Sequence, residues 1–199
     1  MPKKARPKAT KKEYILKKAS TLFREKGFAA SSMRDLAEAV GLEAASLYNH
    51  IQSKSEILQE IVFKSANECI VHLEKVENQK SSSLEKVEEL IRFHTLMMLQ
   101  RFDDYYVMSH EWMHLTEPYL TTFVSQRKNY VQKFENIIKQ GIDKKEIKPV
   151  LPYVVVLNIL SAVSGLEFWH RSKQKVTPKQ LEDNMVLHLI SGLKLSSKK

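Results

Sequence analysis

Apolar residues along this chain recur at helical spacing and nowhere alternate convincingly at the two-residue period of a strand. In YILKKASTLFREKGF, Ile15, Ala19, Leu22 and Phe23 fall at i, i+4, i+7 and i+8, one face of a helix that Gly27 is placed to end as a left-handed cap. SSMRDLAEAVGL follows, where Ser31 or Ser32 caps a second helix and Asp35 reaches back to the cap region. Leu36, Ala37 and Val40 face inward, and Gly41 closes this helix. EAASLYNHI starts a third short helix at once, and SKSEIL opens a long one, with Ser53 and Glu56 at capping-box spacing, running to about Val76.

Beyond NQKSSS the pattern predicts helices over about 84–101 and 104–115, another from Pro118 to Gly141, an apolar one over about 152–171, and a last from Pro178 to near Leu195. Neither glycine nor proline occurs between Leu42 and Glu117. The expected fold class is therefore all-α, with about nine helices. Short helix, glycine turn, short helix and capped long helix between Ser31 and Leu58 make a helix-turn-helix. The expected divisions are a basic arm over 1–10, a three-helix DNA-binding domain over 11–55, and a larger helical domain over 56–199.

At 199 residues and 43% hydrophobic, the chain is long enough to bury a sizeable core. The net charge of +9 is concentrated at one end. Residues 1–55 carry 12 Lys or Arg against 5 Asp or Glu, whereas the rest is nearly balanced. A basic module joined to a near-neutral one points the first toward a polyanion. The single cysteine, Cys69, excludes a disulfide framework and a cysteine-based zinc cluster, and fits a reducing compartment. There is no secretory leader pattern, and VLPYVVVLNILSAVSGL, interrupted by Pro152 and Asn158, reads as short of the roughly 20 apolar residues of a membrane span. The expected location is the cytoplasm, with no membrane partner.

HEWMH, residues 110–114, has the letters of a zinc-hydrolase helix, in which His110 and His114 would share a face and Glu111 would polarise a metal-bound water. The longer motif requires a glycine and a third histidine in the next turns, where this chain has Glu117 and Leu120. Glu135 is only a distant third ligand. Zinc hydrolysis and a helical interaction protein that binds no DNA stand as the alternatives to a DNA-binding regulator. No catalytic residue, metal or cofactor is expected.

LFREKGF, SSMRDLAEAVGL and SLYNHIQSKSEIL, in this order and spacing, resemble the DNA-binding segment of TetR-type transcriptional regulators over about residues 12–58. The resemblance implies a ligand-released repressor that binds a palindromic double-stranded operator as a homodimer. Ser31 and Ser32 lie where a helix N-terminus meets phosphate. Tyr48 and His50 match residues that meet the DNA backbone, and Lys54 brings a cation to the first turn of the long helix. The recognition helix holds no Arg or Lys, so Ala44, Ala45, Ser46 and Asn49, with Arg34 on the preceding helix, are the candidates for reading base edges. Glu43 replaces the small hydroxyl residue usual in the family. Shape and phosphate contacts are expected to dominate, aided by Lys3, Lys4, Arg6 and Lys8.

Met97, Met98, Phe102, Tyr105, Tyr106, Met108, Trp112, Met113 and Phe123 form a soft, aromatic-rich stripe, in the first place core. The later segments are similar to the branch of TetR-type regulators that senses fatty acids or acyl-CoA thioesters. On that resemblance the effector pocket is assigned to Met97, Phe102, Tyr106, His110, Trp112, Met113, Phe123, Arg127, Phe168 and Trp169. Arg127, Lys128, Arg171 and Arg92 are the candidates for meeting CoA phosphates. The apolar helices at about 152–171 and 178–195 are expected to pair across a two-fold axis as a four-helix bundle.

Overall fold

The structure, a computed structural model, describes residues 10–172 and 175–195. Those residues fold as helices α1 (Lys11–Lys26), α2 (Met33–Val40), α3 (Ala44–Tyr48), α4 (Lys54–Glu77), α5 (Ser83–Gln100), α6 (Phe102–His110), a 3₁₀ turn Trp112–His114, α7 (Tyr119–Asp143), α8 (Pro152–Ser164), α9 (Glu167–Arg171) and α10 (Pro178–Ser191). The fold is all-α. Counting α8 and α9 as one interrupted helix gives the nine expected. The arm residues Lys3, Lys4, Arg6 and Lys8 lie outside the described residues.

Side-chain caps explain where several helices begin. Thr10, Ser32, Ser82 and Thr177 each accept from the N3 backbone while Glu13, Asp35, Glu85 and Gln180 return the bond, satisfying two otherwise orphaned donors. Ser53 caps α4, but Glu56 reaches past it to the Gln52 N–H at 2.7 Å, so the expected reciprocal box is only half made. Gly27 ends α1 with φ 82° but ψ 150°, outside the left-handed helical region and still accessible chiefly to glycine.

Four expected boundaries change. The helix expected over 104–115 stops at His110 and gives way to the 3₁₀ turn. Pro118 precedes α7 as its cap residue rather than opening it. Gly141 does not terminate α7, which runs on to Asp143; a Cβ there would lie 2.6 Å from Ile147 Cδ1 and 2.8 Å from Ser83 Cβ, so glycine permits the start of α5 to approach. Taken together, Pro152–Arg171 is 20 residues, long and apolar enough by length and composition to cross a membrane, contrary to the sequence reading. It is broken at Gly165–Leu166, and Val156, Ile159 and Val163 are buried in the core.

Two apolar clusters organise the packing. One gathers α1–α4 around Phe23, Leu36, Leu47, Ile57 and Leu58 and also takes in Val107, Leu115 and Phe123. The other joins the later half of α4 to α5, α7, α8 and α10 around Leu73, Leu90, Met98, Phe134 and Ile159. The N-terminal cluster extends along α4 to Ala66, so its packing unit reaches past position 55. Met108 on α6 touches both clusters.

Candidate DNA-reading face and effector cavity

α3 is held in place by Leu47, fully buried in the N-terminal cluster, which leaves Ala44, Ala45, Tyr48 and Asn49 exposed and Ser46 and His50 half-buried. Arg34 on α2 is also exposed. Glu43 makes no side-chain cap bond to α3. Ser32 is the cap of α2, and its N–H donates to Asp35 Oδ2 at 2.7 Å. Lys26 and Ser32 together hold the Asp35 carboxyl down to about 2, so this helix start already carries an anion. Ser31 leaves the exposed set: it is buried, and its hydroxyl donates to the Gly27 carbonyl at 2.7 Å.

Lys54 is placed differently from its expected phosphate-facing role. Its ammonium donates to the carbonyls of Phe28 and Ser31, both at 2.7 Å, and sits 4.3 Å from the centroid of the Phe28 ring. Two of its three donors are therefore committed to the turn between α1 and α2. Glu111 grips the same turn from the other side, accepting from the Phe28 N–H at 3.0 Å, while His114 stacks on the Phe28 ring at 5.4 Å.

HEWMH thus has a structural use. His110, the last residue of α6, stacks on Tyr106 at 4.2 Å, whereas His114 lies beyond the helix end on Phe28. The two imidazoles do not share a helix face, and among the described residues no group of three or more His, Cys, Asp or Glu is placed to hold a metal ion.

A cavity of about 800 Å³ opens between α4, α6, α7 and α8. Ala66, Ile70, Met108, Phe123, Val131, Val156 and Leu160 give it apolar walls, and His110, Trp112 and Arg127 join Phe123 as expected pocket residues that do line it. The other six expected residues do not. Met97 is packed in the core, and Phe102 stacks on His170 at 3.9 Å. Tyr106 stacks on His110, which places the Phe102–Tyr106–His110 row alongside α9. Met113 and Phe168 are 59% and 65% exposed, and the Trp169 indole donates to the Val176 carbonyl at 3.1 Å. Ending α6 at His110 accounts for Met113, because the 3₁₀ turn changes the direction of the side chains.

Sequence reasoning missed the polar group at the cavity's buried end. His94 Nδ1 lies 2.9 Å from Tyr105 Oη and His94 Nε2 lies 2.6 Å from Tyr130 Oη. All three residues line the cavity and are buried. Burial pushes the His94 imidazole down to about 4 and raises both phenols, so the trio is neutral. The available signal was His94 itself, set among Leu90, Ile91, Met97 and Met98 on the apolar face of α5, where an imidazole requires partners. Cys69, also in the wall, is pushed up to about 12 by burial and is an inert thiol.

At the open side stand exposed Arg127 and Lys128, with Tyr153 and Leu157 of α8. The Arg127 guanidinium lies 5.3 Å from the Trp112 ring centroid. Arg92 is away from the cavity lining and is engaged by Glu88, Glu182 and Asp183. Arg171 is exposed and likewise outside the lining.

Two family models match the chain: "Bacterial regulatory proteins, tetR family" over residues 15–61, and "Tetracyclin repressor-like, C-terminal domain" over residues 80–193. The transcriptional repressor KstR2 of Mycolicibacterium smegmatis is 20% identical over 187 residues, covering 93% of this chain and 91% of that protein. IcaR of Staphylococcus aureus, the negative transcriptional regulator of the biofilm operon icaADBC, is 27% identical over 139 residues, 69% of this chain and 72% of its own. The structure of the ketosteroid transcriptional regulator KstR2 of Mycobacterium tuberculosis has the same fold, with a TM-score of 0.86 at 19% identity, covering 94% of this chain and 96% of that one. AibR, solved with isovaleryl coenzyme A and operator DNA, gives a TM-score of 0.78 at 25% identity, covering 91% of this chain and 98% of its own. Helix-turn-helix, helical companion domain and both family matches agree, and the chain belongs to the TetR family of DNA-binding transcriptional regulators.

Proposed function

We propose that this protein is a ligand-released repressor that acts in the cytoplasm as a homodimer on a palindromic operator, and that its effector is an apolar molecule of the acyl-CoA or fatty-acid class. The observation that carries the reading is the cavity itself: apolar walls, a neutral polar end, and a charged rim where Arg127 and Lys128 outnumber the one carboxylate among the described lining residues, Glu135, sized for a small ligand. AibR, a structural neighbour, was solved in complex with isovaleryl coenzyme A and operator DNA, which supports an acyl-CoA effector and an operator as the two partners here. Arg127 and Lys128 are suited to the anionic part of such a ligand.

Ser32, Arg34, Ala44, Ala45, Ser46, Tyr48, Asn49 and His50 form the proposed DNA face. Ser31 and Lys54 support its geometry from beneath. With no cation on α3, affinity rests on phosphate contacts and DNA shape. Domain limits follow the same division, with residues 11–55 as the reading head and 56–199 as effector and dimerisation domain, sharing α4 across the boundary.

Dimerisation is assigned to α8 and α10. Tyr153, Val154, Leu157 and Phe168 leave an apolar surface along α8 and α9, and Leu187 extends it on α10. A partner seated there would also cover part of the cavity opening, because Tyr153 and Leu157 belong to both surfaces.

Titration of the protein against a palindromic promoter fragment over a salt series tests the DNA face. Arg34→Ala is expected to weaken binding and to lower the salt slope by about one, and Tyr48→Phe to weaken binding at every salt concentration. Unchanged affinity and slope in both variants would remove this face from the reading.

A further inference from the structure

Three groups at the buried end of the cavity share two hydrogen bonds and hold three protons. Tyr105 and Tyr130 each carry a hydroxyl proton, and neutral His94 carries one N–H while its other ring nitrogen accepts. In either tautomer one tyrosine donates to His94 and the other accepts from it, so the accepting tyrosine keeps its own O–H uncommitted. Neither hydroxyl has another partner among the described residues, although Tyr105 is only 4% and Tyr130 only 8% exposed. A buried donor without an acceptor is uncommon in a folded protein, and this one lies on a cavity wall.

We propose that the spare tyrosine hydroxyl is a recognition point, and that the effector carries a neutral carbonyl at the end it buries while its anionic part remains at Arg127 and Lys128. The proposal deepens the effector reading above and rests on it. Charge argues against a carboxylate at the buried end: neither Lys nor Arg among the cavity-lining residues is buried, and burial keeps His94 from supplying a positive charge. A plain hydrocarbon terminus fits the apolar walls but leaves the hydroxyl without an acceptor. A carbonyl satisfies both.

Calorimetric titration of the full-length protein with three CoA thioesters of equal chain length tests this. The acyl groups are decanoyl, the analogue ending in a methyl ketone, and the analogue ending in a carboxylate. The ketone is expected to bind about ten-fold more tightly than decanoyl-CoA, with the carboxylate weakest. Of Tyr105→Phe and Tyr130→Phe, the one that removes the presenting hydroxyl is expected to abolish the ketone preference, and the other to retain it, the preference being read as the ratio of ketone to decanoyl-CoA affinity within each variant. Equal binding of ketone and hydrocarbon by the unaltered protein overturns the proposal and leaves the effector reading standing, even should a variant fail to fold. A ketone preference that survives in both variants also overturns it. Failure of all three thioesters to bind overturns the effector reading and the proposal together.

Discussion

Burial holds the His94 imidazole neutral, down to about 4 from its ordinary 6.5, chiefly by desolvation with a smaller contribution from His72. An unfolded chain takes up this proton near pH 6.5, whereas the folded chain resists until about pH 4, so His94 makes stability fall as pH drops through that window. The effect reaches about 3 kcal/mol at its lower end. His72, also lowered by burial, acts in the same direction. Thermal melts between about pH 7 and pH 5 are expected to show a shallower pH dependence for His94→Gln, which keeps a donor and an acceptor but does not titrate; an unchanged slope would remove His94 as its source. At this scale the sequence supplies residue type and face but not partners. Leu36 and Ala37 are readable as inward and are buried, whereas the commitment of Lys54 to Phe28 and Ser31 depends on residues 26 and 23 positions away in the chain. Tyr130 meets His94 across 36 positions, which no local pattern encodes.

Helices were legible where periodicity and caps agreed. α1, α2 and α4 begin at polar caps and carry clear apolar stripes, and their extents match the sequence expectation closely. α6 was less legible because its termination at His110 lacks a glycine or proline at the break; Glu111 instead turns to the Phe28 N–H. The same bond joins the end of α6 to the turn between α1 and α2. Tyr105, Met108 and Ser109 meet the cavity, Trp112 lies in its wall, and Asp103 and Asp104 bond Thr21 and Ser20 on α1. Glu111→Ala is therefore expected to retain acyl-CoA binding and operator binding while weakening the release of one by the other, measurable by anisotropy of labelled operator. Full release in this variant would take Glu111 out of the path. Gly141 makes a separate prediction at the α5–α7 contact. Gly141→Ala places a methyl against Ile147 and Ser83 and should cost about 1–3 kcal/mol in a denaturant melt; a neutral result would show that the contact yields freely.

Across the whole molecule, the N-terminal cluster and the C-terminal cluster meet at α4, α6 and the first turns of α7. Trp112 and Phe123, 5.7 Å apart, line the cavity and also pack against the N-terminal cluster, so a ligand that moves them acts directly on the packing beneath the DNA face. The overall division into reading head and larger helical domain was legible from charge and punctuation, but the shared packing was not, because it joins segments far apart in sequence. In the proposed dimer, pairing through α8 and α10 would set the spacing of two heads. Leu157→Arg, on the exposed side of α8, is expected to yield a monomer by light scattering and to lose operator binding; a stable dimer would place the interface elsewhere. Coupling between cavity and DNA, if it releases the operator, must be reciprocal by linkage. Operator affinity should be measured with and without saturating decanoyl-CoA, and decanoyl-CoA affinity with and without saturating operator. Each ligand is expected to weaken the other by the same factor, about ten-fold or more; two affinities that ignore each other would rule out release of the operator by a ligand in this cavity.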